Sequence, residues 1–174
     1  MMGSRSMWIA VLMAAVLTTS VVMLLPPQSL APLIGLRYPD VRWIDTAALA
    51  ARMQDASAPQ ALVLDVRSSE EFEVSHIRGA VRVDPEQPDL DALQLRDDAP
   101  IFVYCSVGYR SAAIARQLTA AGSDEVYNLK GGIFAWANEG RPIIRDGERA
   151  SAVHPYDAIW GRLLRRDLRW APTR

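Results

Sequence analysis

Hydrophobic and polar positions divide this chain into three regimes. From Met7 to Leu25 runs an uninterrupted stretch of 19 largely apolar residues, and no charged side chain stands between Arg5 and Arg37. Prolines 26, 27, 32 and 39 then punctuate the chain, a pattern that predicts an extended spacer up to Asp40. From Val41 onward, short apolar runs alternate with amphipathic ones. Asp45-Thr46 is suited to cap a short helix through Met53, with Leu49 and Met53 at i, i+4. Ala61 to Val66, Ala80 to Val83, Ile101 to Tyr104 and Glu125 to Leu129 read as strands. The runs at 61–66 and 101–104 are of the kind found in buried parallel strands. A short helix is predicted to start with Ser68-Ser69-Glu70-Glu71-Phe72, and others run from Asp89 to Leu95 and from Arg110 to Ala121 with Gly122 as a stop. A last one opens at Gly131-Gly132 and runs through Asn138, closed by Gly140.

This alternation predicts one α/β domain over 41–145, a central parallel sheet with helices on both faces and right-handed crossovers. Residues 1–25 are expected to be a signal anchor or signal peptide, 26–40 a linker, and 146–174 a basic C-terminal extension. As a helix the N-terminal run would span about 28 Å, close to the hydrocarbon thickness of a bilayer. Ser29-Leu30-Ala31 offers a small-x-small cleavage site, but Pro32 follows it directly. Run length and proline favour a retained anchor over a cleaved signal. The early position of the segment favours an exported main domain, periplasmic in a bacterial cell. In the tail, residues 157–174 hold five arginines against two aspartates. Ile159, Leu163 and Trp170 lie on one stripe there if the segment is helical. Such a helix either packs back on the domain or lies on anionic lipid.

Composition narrows the function. The chain has 174 residues, with 19 Lys and Arg against 20 Asp and Glu, a net charge of −1. That suits one domain with appendages and gives no electrostatic basis for nucleic-acid binding. There is one cysteine, Cys105, and the two histidines are His76 and His154. No internal disulfide can form, and neither a metal site nor a cofactor is expected.

The candidate chemistry centres on Tyr104-Cys105-Ser106-Val107-Gly108-Tyr109-Arg110-Ser111, between the end of a strand and the start of a helix. In an open α/β sheet, ligand sites gather there. A loop over a helix start turns backbone N–H groups inward and favours an anion, here a cysteine thiolate. Arg110 adds a fixed positive charge and a planar fork, and Gly108 lets the backbone curl round the sulfur. Cys105 as a mere buried hydrophobe would account for the preceding strand, but not for the glycine, arginine and serine that follow.

These residues resemble the rhodanese family of sulfurtransferases, whose loop reads cysteine, two residues, glycine, one residue, arginine, then serine or threonine. Asp65-Val66-Arg67, Glu71-Phe72 and His76-Ile77-Arg78-Gly79-Ala80 are similar to the family's amino-terminal signature. Leu129 to Trp136 is similar to its carboxy-terminal one. The resemblance implies a rhodanese-like fold and a two-step exchange through a Cys105 persulfide. A small sulfur-containing anion, thiosulfate or similar, would be the donor. Cyanide, a thiol or a partner protein would be the acceptor. It assigns Cys105 and Arg110 to catalysis, and Ser106, Val107, Gly108, Tyr109 and Ser111 to substrate binding. Asp65, Arg67, Glu71 and His76 would support the site. Asp65 and Arg67 would do so directly or as a fold-ordering ion pair, with Glu71 pairing Arg67 and His76 a base or structural. Two departures stand out: Ser75 replaces a frequent glycine, and Ser106 replaces the basic residue frequent in thiosulfate-using members. Related phosphatases carry one more loop residue than Cys105 to Arg110, which argues for sulfur transfer over phosphate ester hydrolysis. A binding module on the same fold is the alternative from another functional class.

Overall fold

The computed structural model describes residues 25–57, 59–90, 93 and 99–172. In chain order they form α1 (Ala31–Arg37), β1 (Arg42–Ile44), α2 (Thr46–Gln54), β2 (Leu62–Asp65), α3 (Ser69–Val74), β3 (His76–Ile77) and β4 (Val81–Arg82). There follow β5 (Ile101–Tyr104), α4 (Tyr109–Ala120), β6 (Val126–Leu129), α5 (Gly132–Asn138), β7 (Ile143–Arg145) and β8 (Glu148–Arg149). Local chemistry explains several boundaries. Asp45 accepts from the Ala48 N–H to cap α2, and Ser68 with Glu71 forms a reciprocal capping box at α3. Along α4 the buried positions Ser111, Ala112, Ile114, Ala115 and Leu118 follow helical spacing and face the sheet.

The main sheet has the order β1-β6-β5-β2-β4 and every pairing in it is parallel. The chain leaves β2 toward β4 but leaves β5 toward β6. The direction of winding therefore reverses between β2 and β5, and a crevice opens beyond their C-terminal ends. Residues 65–67 and the Cys105 loop both issue from that crevice. The continuous apolar strand β5 is buried throughout, as its sequence requires. A small antiparallel sheet, β3-β7-β8, adds an edge that the sequence pattern does not signal, because its strands are two or three residues long.

Three local expectations are corrected. The proline-rich stretch before Asp40 is not extended. Pro27–Leu30 forms a 3₁₀ turn that packs on α5, and α1 follows it. Proline sits in the first turn of each, where its missing N–H leaves no helix bond unmade. Burial of Leu30, Ala31 and Ile34 holds the segment down. In the stretch expected to be helical from Asp89 to Leu95, Asp89, Leu90 and Leu93 are not helical and the rest lies outside the described residues. The tail is two 3₁₀ turns, Trp160–Leu163 and Arg166–Leu168, rather than a helix. Asn138 takes backbone groups that a helix would use: its Nδ2 donates to the Leu163 carbonyl and its Oδ1 accepts from the Arg165 N–H. With Leu163 and Leu164 buried, this part of the tail packs on the domain, while Ile159 stays exposed. Among the described residues no helix is long and apolar enough to cross a membrane, and residues 7–24 of the apolar run lie outside them.

At the C-terminal end of β2, Asp65 and Arg67 form a fully buried pair, both side chains 0% exposed. Arg67 Nε donates to Asp65 Oδ1 at 2.8 Å and Nη2 to Oδ2 at 2.6 Å. Nη2 also donates to the Ser75 carbonyl, tying the end of β2 to the end of α3. Burial alone would lower the Arg67 pKa, but the Asp65 charge and hydrogen bonds outweigh it and hold the guanidinium protonated. Replacing Asp65 by Ala would strand that charge, at a cost of about 3–5 kcal/mol. The expected result is a large drop in the urea midpoint. A loss below about 1 kcal/mol, the range of an exposed pair, would contradict this account.

Candidate active site

Cys105 follows β5 directly and is 1% exposed. Its Sγ accepts a hydrogen bond from the Gly108 N–H at 3.1 Å, so the loop closes round the sulfur. Gly108 adopts φ +106°, and a Cβ there would lie 3.3 Å from both the Leu129 carbonyl oxygen and the Trp43 ring. Glycine is therefore required on conformational and steric grounds.

The loop's carbonyls are held from behind. The first turn of α5 donates from the Ile133 N–H to the Cys105 carbonyl at 2.9 Å, and from the Phe134 N–H to the Ser106 carbonyl at 3.1 Å. Asn128 Nδ2 donates to the Gly108 carbonyl at 2.8 Å. In a planar trans peptide the next N–H points opposite to the carbonyl. The N–H groups of Ser106, Val107 and Tyr109 are thereby turned away from α5 and Asn128. Gly132 permits this approach: a Cβ on it would stand 2.2 Å from the Cys105 carbonyl oxygen.

Charge at the site comes as a matched pair. Arg110 donates from Nη1 to Glu71 Oε2 at 2.7 Å and from Nη2 to Glu71 Oε1 at 2.8 Å. Nη2 also reaches Ser106 Oγ at 3.0 Å, and that hydroxyl donates to Glu71 Oε1. The Arg110 guanidinium carbon lies 4.9 Å from the centre of the Tyr156 ring. Burial raises the Glu71 pKa, but the hydrogen bonds and charge of Arg110, aided by Arg67 and the Ser68 N–H, bring it below the ordinary value. Arg110 is shifted upward: burial opposes this, and Glu71 together with the neighbouring Cys105 outweighs it.

A cavity of about 470 Å³ opens over the sulfur. Cys105, Ser106, Val107, Tyr109 and Arg110 form its floor and one wall. The other walls are Leu30, Leu33 and Ile34 from the N-terminal turns, with Tyr156 and Trp160 from the tail.

Most of the residues assigned by resemblance converge here, with differences. Glu71 pairs with Arg110 and not with Arg67, because Arg67 is already claimed by Asp65. The Arg110 fork, expected to be open for an anion, is occupied by Glu71. Ser111 is fully buried with no hydrogen-bond partner for Oγ among the described residues, so it does not line the cavity. Asp65 and Arg67 lie beneath the site as a fold-ordering pair. His76 is not among the cavity's lining residues; it stacks on Phe72 at 4.0 Å, with Nδ1 against the Phe72 carbonyl. Sequence reasoning missed Asn128, which no local pattern marks, and the lining residues from the two flanking segments. The role of Gly132 lay within the recognised carboxy-terminal signature.

Two measurements follow from this geometry. Gly132→Ala and Gly140→Ala both place alanine at positive φ, which costs about 1–2 kcal/mol. A Cβ at Gly140 meets nothing within 4 Å, so the Gly132 variant is expected to lose at least about 2 kcal/mol more in urea unfolding. Equal losses would show that the α5 approach is not tight. Glu71 has a folded pKa below its ordinary 4.5, so its stabilisation is complete above that value and is lost as pH falls through the folded pKa. Its side chain is 3% exposed and that of Arg110 is 25% exposed. For this partly screened pair Glu71→Gln should cost about 2–3 kcal/mol at neutral pH. The gap to the unaltered protein should close in acid, and one that stayed constant down to pH 3 would count against the pair.

Comparison with known proteins agrees with this architecture. Residues 46–139 match the family profile described as "Rhodanese-like domain". A Bacillus subtilis protein named "Uncharacterized protein YqhL" is 38% identical over 80 residues, 46% of this chain and 64% of that one. The chain thus spans just under two thirds of that relative. A protein from Allochromatium vinosum named "Sulfurtransferase" is 31% identical over 104 residues, covering 60% of this chain and 95% of the relative. The crystal structure of a rhodanese-related protein from Thermoplasma volcanium superposes with a TM-score of 0.51 at 28% identity. That match covers 59% of this chain and 97% of the other. With the matched span exceeding half its length and the cysteine loop in place, this chain belongs to the rhodanese-like domain family.

Proposed function

We propose that the protein is a sulfurtransferase in which Cys105 carries sulfane sulfur as a persulfide. The observation that carries this reading is the loop itself. Its sulfur lies at the floor of a cavity, bonded by the Gly108 N–H, while three loop carbonyls are drawn off by α5 and Asn128. The opposed N–H groups are left available to a small anionic atom beyond Sγ.

In the first step the Cys105 thiolate attacks the outer sulfur of a donor. A sulfur–sulfur bond forms to Cys105, and the donor's own bond to that sulfur breaks with its electron pair; from thiosulfate this releases sulfite. In the second step a thiolate or cyanide attacks the terminal sulfur, and the electron pair of the enzyme's S–S bond returns to Cys105. Neither step requires a general base once the thiolate is formed, which fits the placement of His76 outside the cavity lining. Phosphate ester chemistry is less favoured. Arg110, the residue that would grip a phosphate bidentately, already has both terminal nitrogens on Glu71.

The test is intact mass of the full chain before and after thiosulfate, then polysulfide, with Cys105→Ser as control. The expected outcome is a gain of one sulfur atom, removed by cyanide and absent from the variant. No gain from either donor would instead favour a binding module on the same fold.

A further inference from the structure

The cavity above Cys105 is not built by the rhodanese-like span alone. Leu30, Leu33 and Ile34 precede residue 46, and Tyr156 and Trp160 follow residue 139. Both flanking segments are anchored for this task. The N-terminal turns bury Leu30 and Ile34 in the core, and the tail is pinned through Asn138 and through Val153, which bridges to Arg169. Leu33, by contrast, is 58% exposed at the rim, an apolar side chain left facing the opening.

The electrostatics of the cavity point the same way. Arg110 is the one ionisable cation among its described lining residues, and its charge is matched by Glu71 and covered by the Tyr156 ring. Ser106, at the position next to the nucleophile, spends its hydroxyl proton on Glu71. A small inorganic anion acting as acceptor would find, beyond the amide N–H groups round Sγ, largely apolar walls and no uncompensated positive side chain. An apolar body would instead release water from both surfaces, and the volume is within the usual range for small organic ligands.

We propose that the sulfur acceptor at this site is an organic thiol with an apolar body, seated between α1 and the tail, rather than a small inorganic anion. This rests on Cys105 acting as a persulfide carrier. The step is redox-neutral: the acceptor sulfur bonds to the terminal sulfur, and the Cys105 S–S bond breaks with its electron pair going to Cys105. The thiol proton ends on the new organic persulfide.

The experiment loads full-length protein with polysulfide, verifies the added sulfur by mass, and follows its loss to ethanethiol, butanethiol and hexanethiol. These thiols have closely similar acidity, so rate differences report the apolar body. The second-order rate constant should rise about three- to fourfold per methylene until the cavity is filled. Leu33→Asp at the exposed rim and Trp160→Ala should each flatten that rise. A loaded protein that reacts equally with all three thiols would overturn the proposal, as would an undiminished slope in both variants. Failure of Cys105 to acquire sulfur would bring down the persulfide reading itself, and this inference with it.

Discussion

The first turn of α5 against the Cys105 loop is the contact on which the site depends. Two backbone N–H groups that a helix start leaves unpaired meet two carbonyls that a tight loop would otherwise leave unpaired. One exchange thus satisfies both elements and orients the loop's remaining amides. It works only at backbone-to-backbone distance, which Gly132 allows because it lacks a Cβ. The two glycines at 108 and 132 therefore have one purpose seen from opposite sides of the loop. One lets the chain curl round the sulfur, and the other lets a helix reach the back of the curl.

Two ion pairs, one fully buried and one partly exposed, divide the remaining work. Asp65 holds Arg67 at the end of β2, and Arg67 donates to the Ser75 carbonyl, which ties β2 to the junction of α3 and β3. Glu71, presented from α3, then reaches Arg110 on α4. The capping box that starts α3 serves two ends, since the Glu71 carboxylate that accepts from the Ser68 N–H also receives the Arg110 guanidinium. A local folding signal and a site contact share one side chain. The result is a cysteine sulfur with positive charge nearby but little net charge in the cavity, bordered by apolar walls that the flanking segments supply.

Legibility from sequence followed the range of the interaction. The cap at Asp45, the helix start at Ser68, the helical spacing along 110–121 and the apolar runs of β2 and β5 are all settled within a few residues. Each could be read directly. The two-residue strands β3, β4 and β8 carry too little periodicity to register alone, although β4 fell within a strand expected on wider bounds. The proline-rich segment before Asp40 misled because proline breaks a helix interior yet suits a first turn. Which of the two applies depends on whether the following residues find a surface to bury against.

Local order therefore belonged to the sequence: the alternation of strands and helices, and a cysteine, glycine and arginine spaced to form a loop at a strand end. Tertiary structure alone decided which charges meet. Glu71 and Arg110 are 39 residues apart, whereas Arg67 stands on the neighbouring stretch of chain, and only the fold shows that Asp65 already occupies it. It also decided what stands over the sulfur, since the cavity walls come from both flanks of the matched span. Periodicity encodes which face of an element is apolar; it does not encode which distant element will cover that face.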